Sequence, residues 1–526
     1  GGTGYGLFLD ENRALTWDFT GGPFVAQAQT DAWRGYVFAG DSPLEIRQQY
    51  LEIVGRPRVP PRRAFGLWVS EYGYDGWAEL QGKLDTLRAG SFPVDGFVLD
   101  LQWFGGVTWD SDDSAMGSLA WDTLAFPDPP ARIAELQNVH GVQLMAIEES
   151  YVSRGLPEHA DLEARGYLAR AGCADCPPSY ITDNPWWGKG GMIDWSHTEG
   201  ADYWHDTKRQ ALIDDGIVGH WTDLGEPEMF DSNGWYHGVA PGAHTHADVH
   251  NLFNLLWSES IARGYERNGV TRRPFSMSRS GTAGSQRHGV AIWSADIAST
   301  LSSLAAHLNV QMHMSMSGID YFGSDVGGFH RAALRGDLDE MYTQWFAASA
   351  MIDVPLRPHT MNTENRYETA PDRIGDAASN LSNLRLRYQL VPYLYSLAHR
   401  AYLAGEPAAR VLLPGRSGGA DHRRHQAHRP RPAGRDHRGS RRDRARRVSP
   451  RWAVVQLARP DRDRQRGRVA GGRAPVPRWR VCAAPLRPRG RHPPADAHRR
   501  AGDAPVRQRV SGGAGAAGRP AARGGS

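Results

Sequence analysis

Three carboxylates, Asp223, Glu226 and Glu228, follow an apolar run near the middle of the chain. Because Pro227 cannot donate to a β-ladder, we expect the strand that leads to them to stop near Leu224. Asp223 would then lie at the strand end, and barrel enzymes carry their chemistry at the carboxyl ends of their strands. The alternative interpretation is a strand followed by an acidic, solvated loop.

Further polar side chains follow the other predicted strands. They are Asp100, Glu148, Glu149, Arg279, Asp296, Asp325 and His359. Chemistry at a glycosidic bond needs two carboxyl groups on opposite sides of the bond, together with groups that hold the sugar ring. Each residue alone is compatible with an ion pair or a capped loop. Their presence at nearly every strand end favours a shared site at one barrel mouth.

The elements that must position these residues alternate between short apolar runs and amphipathic stretches, which is typical of β/α units. The predicted strands are residues 65–69, 96–101, 142–147, 219–224, 275–278, 291–295, 321–324 and 353–356. The predicted helices are residues 77–89, 130–140, 203–215, 249–268, 300–317, 338–350 and 384–404. This order predicts an α/β fold, a (β/α)8 TIM barrel with insertions. A doubly wound sheet is disfavoured because no Gly-rich phosphate turn follows the first strand.

Residues 1–60 are interpreted as the C-terminal part of an N-terminal β-sandwich domain. The β-type runs and the amphipathic helix lie at residues 4–9, 14–19, 35–40 and 42–54. A Pro-rich connector then marks a boundary, so the barrel with its closing helix takes residues 61–408. The chain begins at Gly1 without Met, in what reads as mid-domain sequence. We therefore expect part of the full protein to be missing, and the cellular compartment stays unknown.

Residues 409–526 change character abruptly. From residue 411 onward the sequence contains no Ile, Phe, Tyr, Met, Thr, Asn, Lys or Glu. Such a composition buries too little apolar surface to offset chain entropy, so we predict a disordered tail rich in Arg, Ala, Gly and Pro. Two other interpretations stay open: translation of a GC-rich gene in a shifted frame, and an Arg-rich nucleic-acid arm. We expect no nucleic-acid partner.

The formal net charge of +3 for the 526 residues hides an asymmetry. Residues 1–410 carry 31 basic and 51 acidic side chains, whereas residues 411–526 carry 30 Arg and 7 Asp. No apolar run approaches the roughly 20 residues of a membrane helix, so we expect no membrane partner. The three cysteines, Cys173, Cys176 and Cys482, are too few for a disulfide framework.

Several motifs resemble those of glycoside hydrolase family 31, which contains retaining α-glucosidases, α-xylosidases and α-transglucosylases. WTDLGEP at residues 221–227 is similar to the family's nucleophile segment. SRSGTAGSQRHGVAIWSAD at residues 278–296 is similar to its Ser-Arg-Ser…Trp-x-Gly-Asp segment. GSDVGGF at residues 323–329 and RPH at residues 357–359 match two more segments. With the early GYGLFLDE and the closing helix, the resemblance covers residues 4–408.

The resemblance implies a role for each matched residue. Asp223 would be the nucleophile and Asp296 the acid/base of a double displacement through a covalent glycosyl-Asp intermediate. We expect their carboxyls to face each other at the barrel mouth, about 5–6 Å apart. The residues that would bind the sugar are Asp100, Trp221, Arg279, Trp293, Asp325 and His359. No cofactor and no metal is expected, and the partner would be an oligosaccharide or another α-glycoside.

Within the family, LDLQWFGG at residues 99–106 is similar to bacterial α-glucosyltransferases and α-glucosidases, which favours α-glucosides as substrates. The chain departs from typical family members in two places. Gln102 follows Asp100 where α-glucosidases carry a second Asp, and Ala295 stands where the family usually has Gly. An α-xylosidase, an α-galactosidase and an inactive carbohydrate-binding remnant stay open as alternatives. The choice between hydrolysis and transglycosylation also stays open, as does the oligomeric state.

Two features between the third and fourth predicted strands admit more than one interpretation. Cys173 and Cys176 form a CxxC pair, but structural zinc needs four ligands, so a loop dithiol or a disulfide is favoured. Trp186 and Trp187 are either a sugar platform or buried packing.

Overall fold

Seven parallel strands form the central sheet of the structure, a computed structural model that describes residues 4–21, 25–30, 34–182, 186–362 and 366–409. In chain order the strands are β1 (Gly4–Asp10), β2 (Leu15–Asp18), β3 (Val25–Ala28), β4 (Arg34–Gly40), β5 (Trp68–Ser70), β6 (Gly96–Leu99), β7 (Gln143–Glu148), β8 (Tyr151–Ser153), β9 (Arg170–Ala171), β10 (Gly190–Met192), β11 (Gly219–Thr222), β12 (Gly234–Ala240), β13 (Ala243–Thr245), β14 (Phe275–Ser278), β15 (Val290–Trp293), β16 (Phe322–Gly323), β17 (Asp325–Val326) and β18 (Arg357–Pro358). The α-helices are α1 (Pro43–Val54), α2 (Trp77–Ala89), α3 (Pro129–Asn138), α4 (Pro157–Arg165), α5 (Thr198–Trp204), α6 (Gln210–Asp215), α7 (His246–Val249), α8 (Phe253–Arg267), α9 (Leu301–Met316), α10 (Leu338–Ile352) and α11 (Ala377–Ala404).

The central sheet runs in the order β5-β6-β7-β11-β14-β15-β16, and each neighbouring pair is parallel. Its strands are buried on both faces, as expected for a parallel sheet covered by helices. Beyond β16, β17 pairs in parallel with β18, and Leu356 forms a parallel bridge with Leu67. These contacts link the last strands back to the first, so the sheet curls and its carboxyl-end loops meet.

Three predicted strand boundaries were wrong. Residues 62–65 form a 3-10 helix, so the first strand begins at Trp68. The fourth strand ends at Thr222, because Leu224 has a φ of 54°, which a strand does not accommodate. Asp353 caps α10 through its backbone N–H, which donates to Ser349 O at 2.9 Å, so the last strand is Arg357–Pro358. The other strand ends differ from the predictions by at most two residues.

All the predicted helices are present, with changes at their ends. α2 matches its prediction at both ends. The predicted helix 203–215 divides into α5, a π-helical turn at His205–Arg209, and α6. α11 starts seven residues earlier than predicted, because the Asp376 side chain accepts hydrogen bonds from the N–H groups of Ala378 and Ser379.

Arg387 joins α11 to the turn before β5 and to the end of α10. Its side chain is fully buried. Nε donates to Phe65 O at 2.7 Å, while the two Nη atoms donate to Ala350 O at 3.3 Å and to Asp353 O at 2.6 Å. Carbonyl groups from two segments, the 3-10 turn before β5 and the C-terminal end of α10, therefore depend on one guanidinium.

A long insertion separates β7 from β11. Within it β8 pairs with β10, while β9 pairs with β12, which follows β11 in the chain. Cys173 and Cys176 form a disulfide, so their sulfurs are bonded to each other rather than poised as metal ligands. Trp187 is buried and stacks on Tyr151 with ring centroids 5.0 Å apart, which supports the packing interpretation for this residue.

The N-terminal strands β1 and β4 form an antiparallel pair. One face of this pair packs on α1, where Phe8 and Phe38 lie edge-on to Tyr50. A β-sandwich is not confirmed by the described strands and stays a prediction, as do the domain boundaries at residues 61 and 409. The predicted tail lies outside the described residues. In the part of the chain described, no helix has both the length and the apolar character needed to cross a bilayer.

The contacts of Arg387 generate a stability prediction. Replacing Arg387 with Met should lower the free energy of unfolding by about 2–4 kcal/mol, because three buried carbonyls lose their donor. Denaturant unfolding would measure the change. Arg385→Met, on the exposed side of the same helix, is the matched control and should change the free energy by less than about 0.5 kcal/mol. Equal effects would contradict the proposed anchoring.

Candidate active site

Asp223, Arg279 and Asp296 come together at one edge of the central sheet. Each residue follows a strand, and the three strands β11, β14 and β15 are neighbours. Nε of Arg279 lies 3.6 Å from Asp223 Oδ1, and its Nη1 lies 3.8 Å from Asp296 Oδ2. Both carboxyls therefore contact one guanidinium on the same barrel face. Their expected separation of about 5–6 Å stays a prediction.

The same arginine fixes the loop that follows Asp223. Glu226 accepts from Arg279 through both carboxylate oxygens, at 2.8 Å from Nε and 3.0 Å from Nη2. Glu228 also contacts Nη2. Glu226 and Glu228 belong to the acidic cluster recognised in the sequence, but no role was predicted for either. Their position just after Asp223 was the available signal, and a bidentate carboxylate is the partner that guanidinium geometry favours.

The electrostatics of this group balance burial against ion pairing. Burial raises the pKa of Asp223 to about 7, and Arg279 opposes that rise by favouring the carboxylate. Burial also raises the pKa of Asp296, again against Arg279. Burial works to lower the pKa of Arg279, but Asp223 and Glu226 outweigh it and raise the pKa above its usual value. Near neutral pH, one of two such carboxyls beside a cation can be ionised while the other keeps its proton.

A second buried ion pair, Asp325 with Arg357, lies nearby. Burial raises the pKa of Asp325 to about 8, with Arg357 opposing the rise. The Arg357 guanidinium carbon lies 4.7 Å from the ring centroid of Trp221 and 5.2 Å from that of Trp293. Cation–π contacts therefore link both tryptophans to the ion pair. Arg357 was part of a matched motif but was missed as a site residue.

Asp100 and His359 form a third buried pair. His359 Nε2 lies 3.6 Å from Asp100 Oδ2, and its Nδ1 lies 2.8 Å from the hydroxyl of Ser70. Burial lowers the pKa of His359 well below its ordinary value, and Arg357 lowers it further. Burial raises the pKa of Asp100, while the N–H of Leu101 lowers it. The His359 ring lies edge-on to Trp221 at 5.3 Å, which connects this pair to the second ion pair.

Several buried polar atoms around Asp223 have no hydrogen-bond partner among the described residues. They are Oδ1 of Asp223, Oδ2 of Asp325, Nε1 of Trp221 and of Trp293, and Nε and Nη1 of Arg357. A buried polar atom left unpaired costs about 1–3 kcal/mol. The set mixes donors with acceptors, and a sugar hydroxyl can serve as either.

The two glutamates at the end of β7 differ in their surroundings. Glu148 accepts from Nε of Arg209 through both oxygens, at 2.9 and 2.7 Å, so it is part of a buried ion pair. Neither oxygen of Glu149 has a hydrogen-bond partner in the described part of the chain. Glu148 is therefore structural, whereas Glu149 lies with the acidic group around Asp223.

Ala295, which precedes Asp296, has a φ of 57°. In this left-handed region a Cβ atom costs roughly 1–2 kcal/mol, which Gly avoids. The difference from the family's usual Gly therefore leaves local strain beside Asp296.

Residues that could hold a metal ion are not clustered in the described ranges. No group of three or more His, Cys, Asp or Glu side chains there is arranged as a metal site. The expectation that the site needs neither metal nor cofactor stays a prediction.

Comparisons with known proteins bear on the family and the fold of the chain. A model of the glycosyl hydrolases family 31 TIM-barrel domain matches residues 57–397. Alpha-glucosidase 2 of Bacillus thermoamyloliquefaciens is 28% identical over 421 residues, which cover 78% of this chain and 51% of that protein. Alpha-xylosidase of Saccharolobus solfataricus is 26% identical, with 72% and 48% covered. The chain thus spans about half the length of the curated relatives it matches.

A solved structure shows the same fold. A family 31 dextranase of Flavobacterium johnsoniae, complexed with glucose, matches with a TM-score of 0.68 at 23% identity. The match covers 77% of this chain and 49% of that one. A TIM-barrel domain is therefore confirmed, and its central parallel sheet has seven strands in the described part of the chain, whereas the predicted closure by eight strands stays a prediction.

The strain at Ala295 can be tested by removing its Cβ. Ala295→Gly should raise the free energy of unfolding by about 0.5–1 kcal/mol, because the relieved strain exceeds the entropy cost of glycine. Thermal or denaturant unfolding would measure it. Ala298→Gly is the control, since Ala298 has no positive φ, and it should be destabilising by about 0.5–1 kcal/mol. A loss of stability at both positions would argue against strain.

Proposed function

The chain belongs to glycoside hydrolase family 31, and from this premise we propose that it is a retaining enzyme of α-glycosidic bonds whose substrates are α-glucosides. The observation that carries the proposal is the contact of Arg279 with both Asp223 and Asp296. A pair of carboxyl groups in one pocket is what cleavage of a glycosidic bond requires. The matched relatives, an alpha-glucosidase and an alpha-xylosidase, support this bond type.

The proposed reaction has two displacements. In the first, the Asp223 carboxylate attacks the anomeric carbon while Asp296 gives its proton to the leaving oxygen, and a glycosyl ester of Asp223 forms. In the second, Asp296 takes a proton from water, whose oxygen attacks the same carbon and releases Asp223. A sugar hydroxyl in place of water would give transglycosylation. Arg279 supports the first step by favouring the charged form of Asp223.

The proposed sugar site is bordered by two more buried pairs, Asp100 with His359 and the ion pair of Asp325 with Arg357. Asp100 and His359 would bind ring hydroxyls, and Asp325 with Arg357 would supply further polar atoms. The rings of Trp221 and Trp293, whose centroids are 5.6 Å apart and nearly perpendicular, would form the apolar wall of the pocket. The indole N–H groups of Trp221 and Trp293 have no partner within the described ranges, and they can donate to hydroxyls.

Two alternatives deserve a direct comparison. The alpha-xylosidase relative favours testing α-xylosides, and α-galactosides complete the substrate panel. The half-length match to full relatives favours testing for a carbohydrate-binding remnant without activity. Hydrolysis of maltose, isomaltose and nitrophenyl α-glycosides separates these alternatives, because a remnant would bind sugar without releasing product.

The two aspartates should respond differently to substitution. Asp223→Ala should lower kcat/KM by at least about 10³-fold for every substrate, since no glycosyl ester can form. Asp296→Ala should lower it strongly for maltose but much less for an aryl glycoside with an acidic phenol, whose departure needs little protonation. In Asp296→Ala, azide should restore turnover and give an α-azide, because it attacks the glycosyl ester without needing a base. Asp85→Ala, an exposed change on α2, is the control. Equal losses without azide rescue would exclude Asp296 as acid/base.

The pH profile should report the state of Asp223. We expect kcat/KM to fall as the pH drops below about 7, because protonation removes the nucleophile, whose pKa is about 7. Arg279 lowers that pKa, so Arg279→Met should move the acid limb to higher pH. Measurement of kcat/KM from pH 5 to 9 checks both statements. An acid limb that stays in place in Arg279→Met would contradict the electrostatic role of Arg279.

A further inference from the structure

Two adjacent glutamates at the end of β7 are both buried, but in the part of the chain that the structure describes only Glu148 forms an ion pair. Glu148 holds Arg209 through both oxygens. Glu149 is 1% exposed, and neither oxygen has a hydrogen-bond partner among the described residues. A buried carboxylate is stable only when it is paired and hydrogen-bonded. Glu148 meets that condition and Glu149 does not.

Glu149 and Asp223 occupy neighbouring positions at the ends of adjacent strands, since the parallel register of β7 and β11 pairs Glu148 with Thr222. Glu149 interacts electrostatically with three carboxyls, two tyrosines and one arginine. They are Tyr72 after β5, Asp100 after β6, Tyr151 on β8, Asp223 and Glu226 after β11, and Arg279 after β14. Arg279 is the one cation among them, and it is already engaged with Glu226, Glu228 and the two aspartates. A further negative charge here would be repelled by Asp223 and would gain little from Arg279.

Electrostatics agree with this geometry. Burial raises the pKa of Glu149 well above its ordinary value, and Asp223 raises it further, while Arg279 lowers it. When two buried carboxyls lie close together, ionisation of one keeps the other protonated.

We propose that Glu149 is a positioning residue that stays a neutral carboxylic acid beside Asp223 and supports the negative charge of that side chain as a dipole. This inference rests on the proposed function, in which Asp223 attacks as a carboxylate. The proton stays on Glu149 through both displacements, so no bond to Glu149 forms or breaks. A neutral Glu149 does not weaken the attraction between Arg279 and Asp223, whereas an ionised Glu149 would compete with Asp223 for the same guanidinium.

Two variants of similar size test the proposal through the acid limb of kcat/KM for an aryl α-glucoside. Glu149→Gln keeps a neutral, polar group, so the limb should stay within about 0.3 pH units of the wild type, with kcat/KM within about 5-fold. Glu149→Met keeps the volume but removes the dipole. Its acid limb should move up by about 0.5–1 pH unit, because the Asp223 anion loses support.

The opposite results overturn the proposal. If both variants move the acid limb to lower pH, Glu149 carries a negative charge in the native protein. If neither variant moves the limb, Glu149 only fills space. A Glu149→Gln protein that does not fold also counts against the proposal, since a neutral amide should fit where a neutral acid lay.

Thermal unfolding supplies a readout that does not depend on activity. A carboxyl kept neutral in the fold ionises on unfolding, so the wild type loses stability as the pH rises above about 4.3. The Tm of Glu149→Gln minus that of the wild type should therefore grow by about 1–2 °C for each pH unit from 5 to 8. The exposed control Glu199→Gln should show a flat difference. A flat difference for Glu149→Gln would overturn the proposal even if the chain cleaved no α-glycoside, so failure of the proposed function remains distinguishable.

Discussion

The site depends on one guanidinium. Arg279 contacts four carboxylates from two loops, and its side chain is only 7% exposed. A buried cation needs such partners, and the carboxylates in turn need the cation, because either one alone would be an uncompensated buried charge. The parallel pairing of β11, β14 and β15 brings these loops to the same edge. The parallel pairing of the strands and the ion pairs of Arg279 therefore hold the same two loops together.

The residues at this edge were predictable because parallel strands place their carboxyl ends together. Asp223, Arg279 and Asp296 follow apolar runs in the sequence, and the order of those runs was enough to group the three side chains. Glu149 also follows an apolar run, residues 142–147, and is grouped with them for the same reason. The ends of the strands were less predictable: nothing in the sequence around Leu224 signals its left-handed conformation, which ends β11 two residues early.

The partners of the buried charges were not predictable. Arg209 lies in a π-helical turn of what the sequence presents as an ordinary amphipathic helix, and its pairing with Glu148 joins residues 61 positions apart. Arg357 is the first residue of β18, and this strand of two residues is too short to give a periodic signal. Propensity describes local conformation, whereas these pairs depend on which segments the fold brings together.

The pairing of β9 with β12 constrains how this scaffold can diversify. β9 belongs to the insertion after β7 and β12 to the segment after β11, so the two loops that border the site share one small sheet with β13. In a sheet, a shift of one residue turns every side chain to the opposite face. A single-residue insertion within the paired residues of β9 or β12 would therefore exchange the faces of that pairing unless a bulge absorbed it, as the register irregularity between β12 and β13 does. Changes in length on this side of the barrel are thus expected in the turns between these strands, where they leave the pairing of the two loops intact.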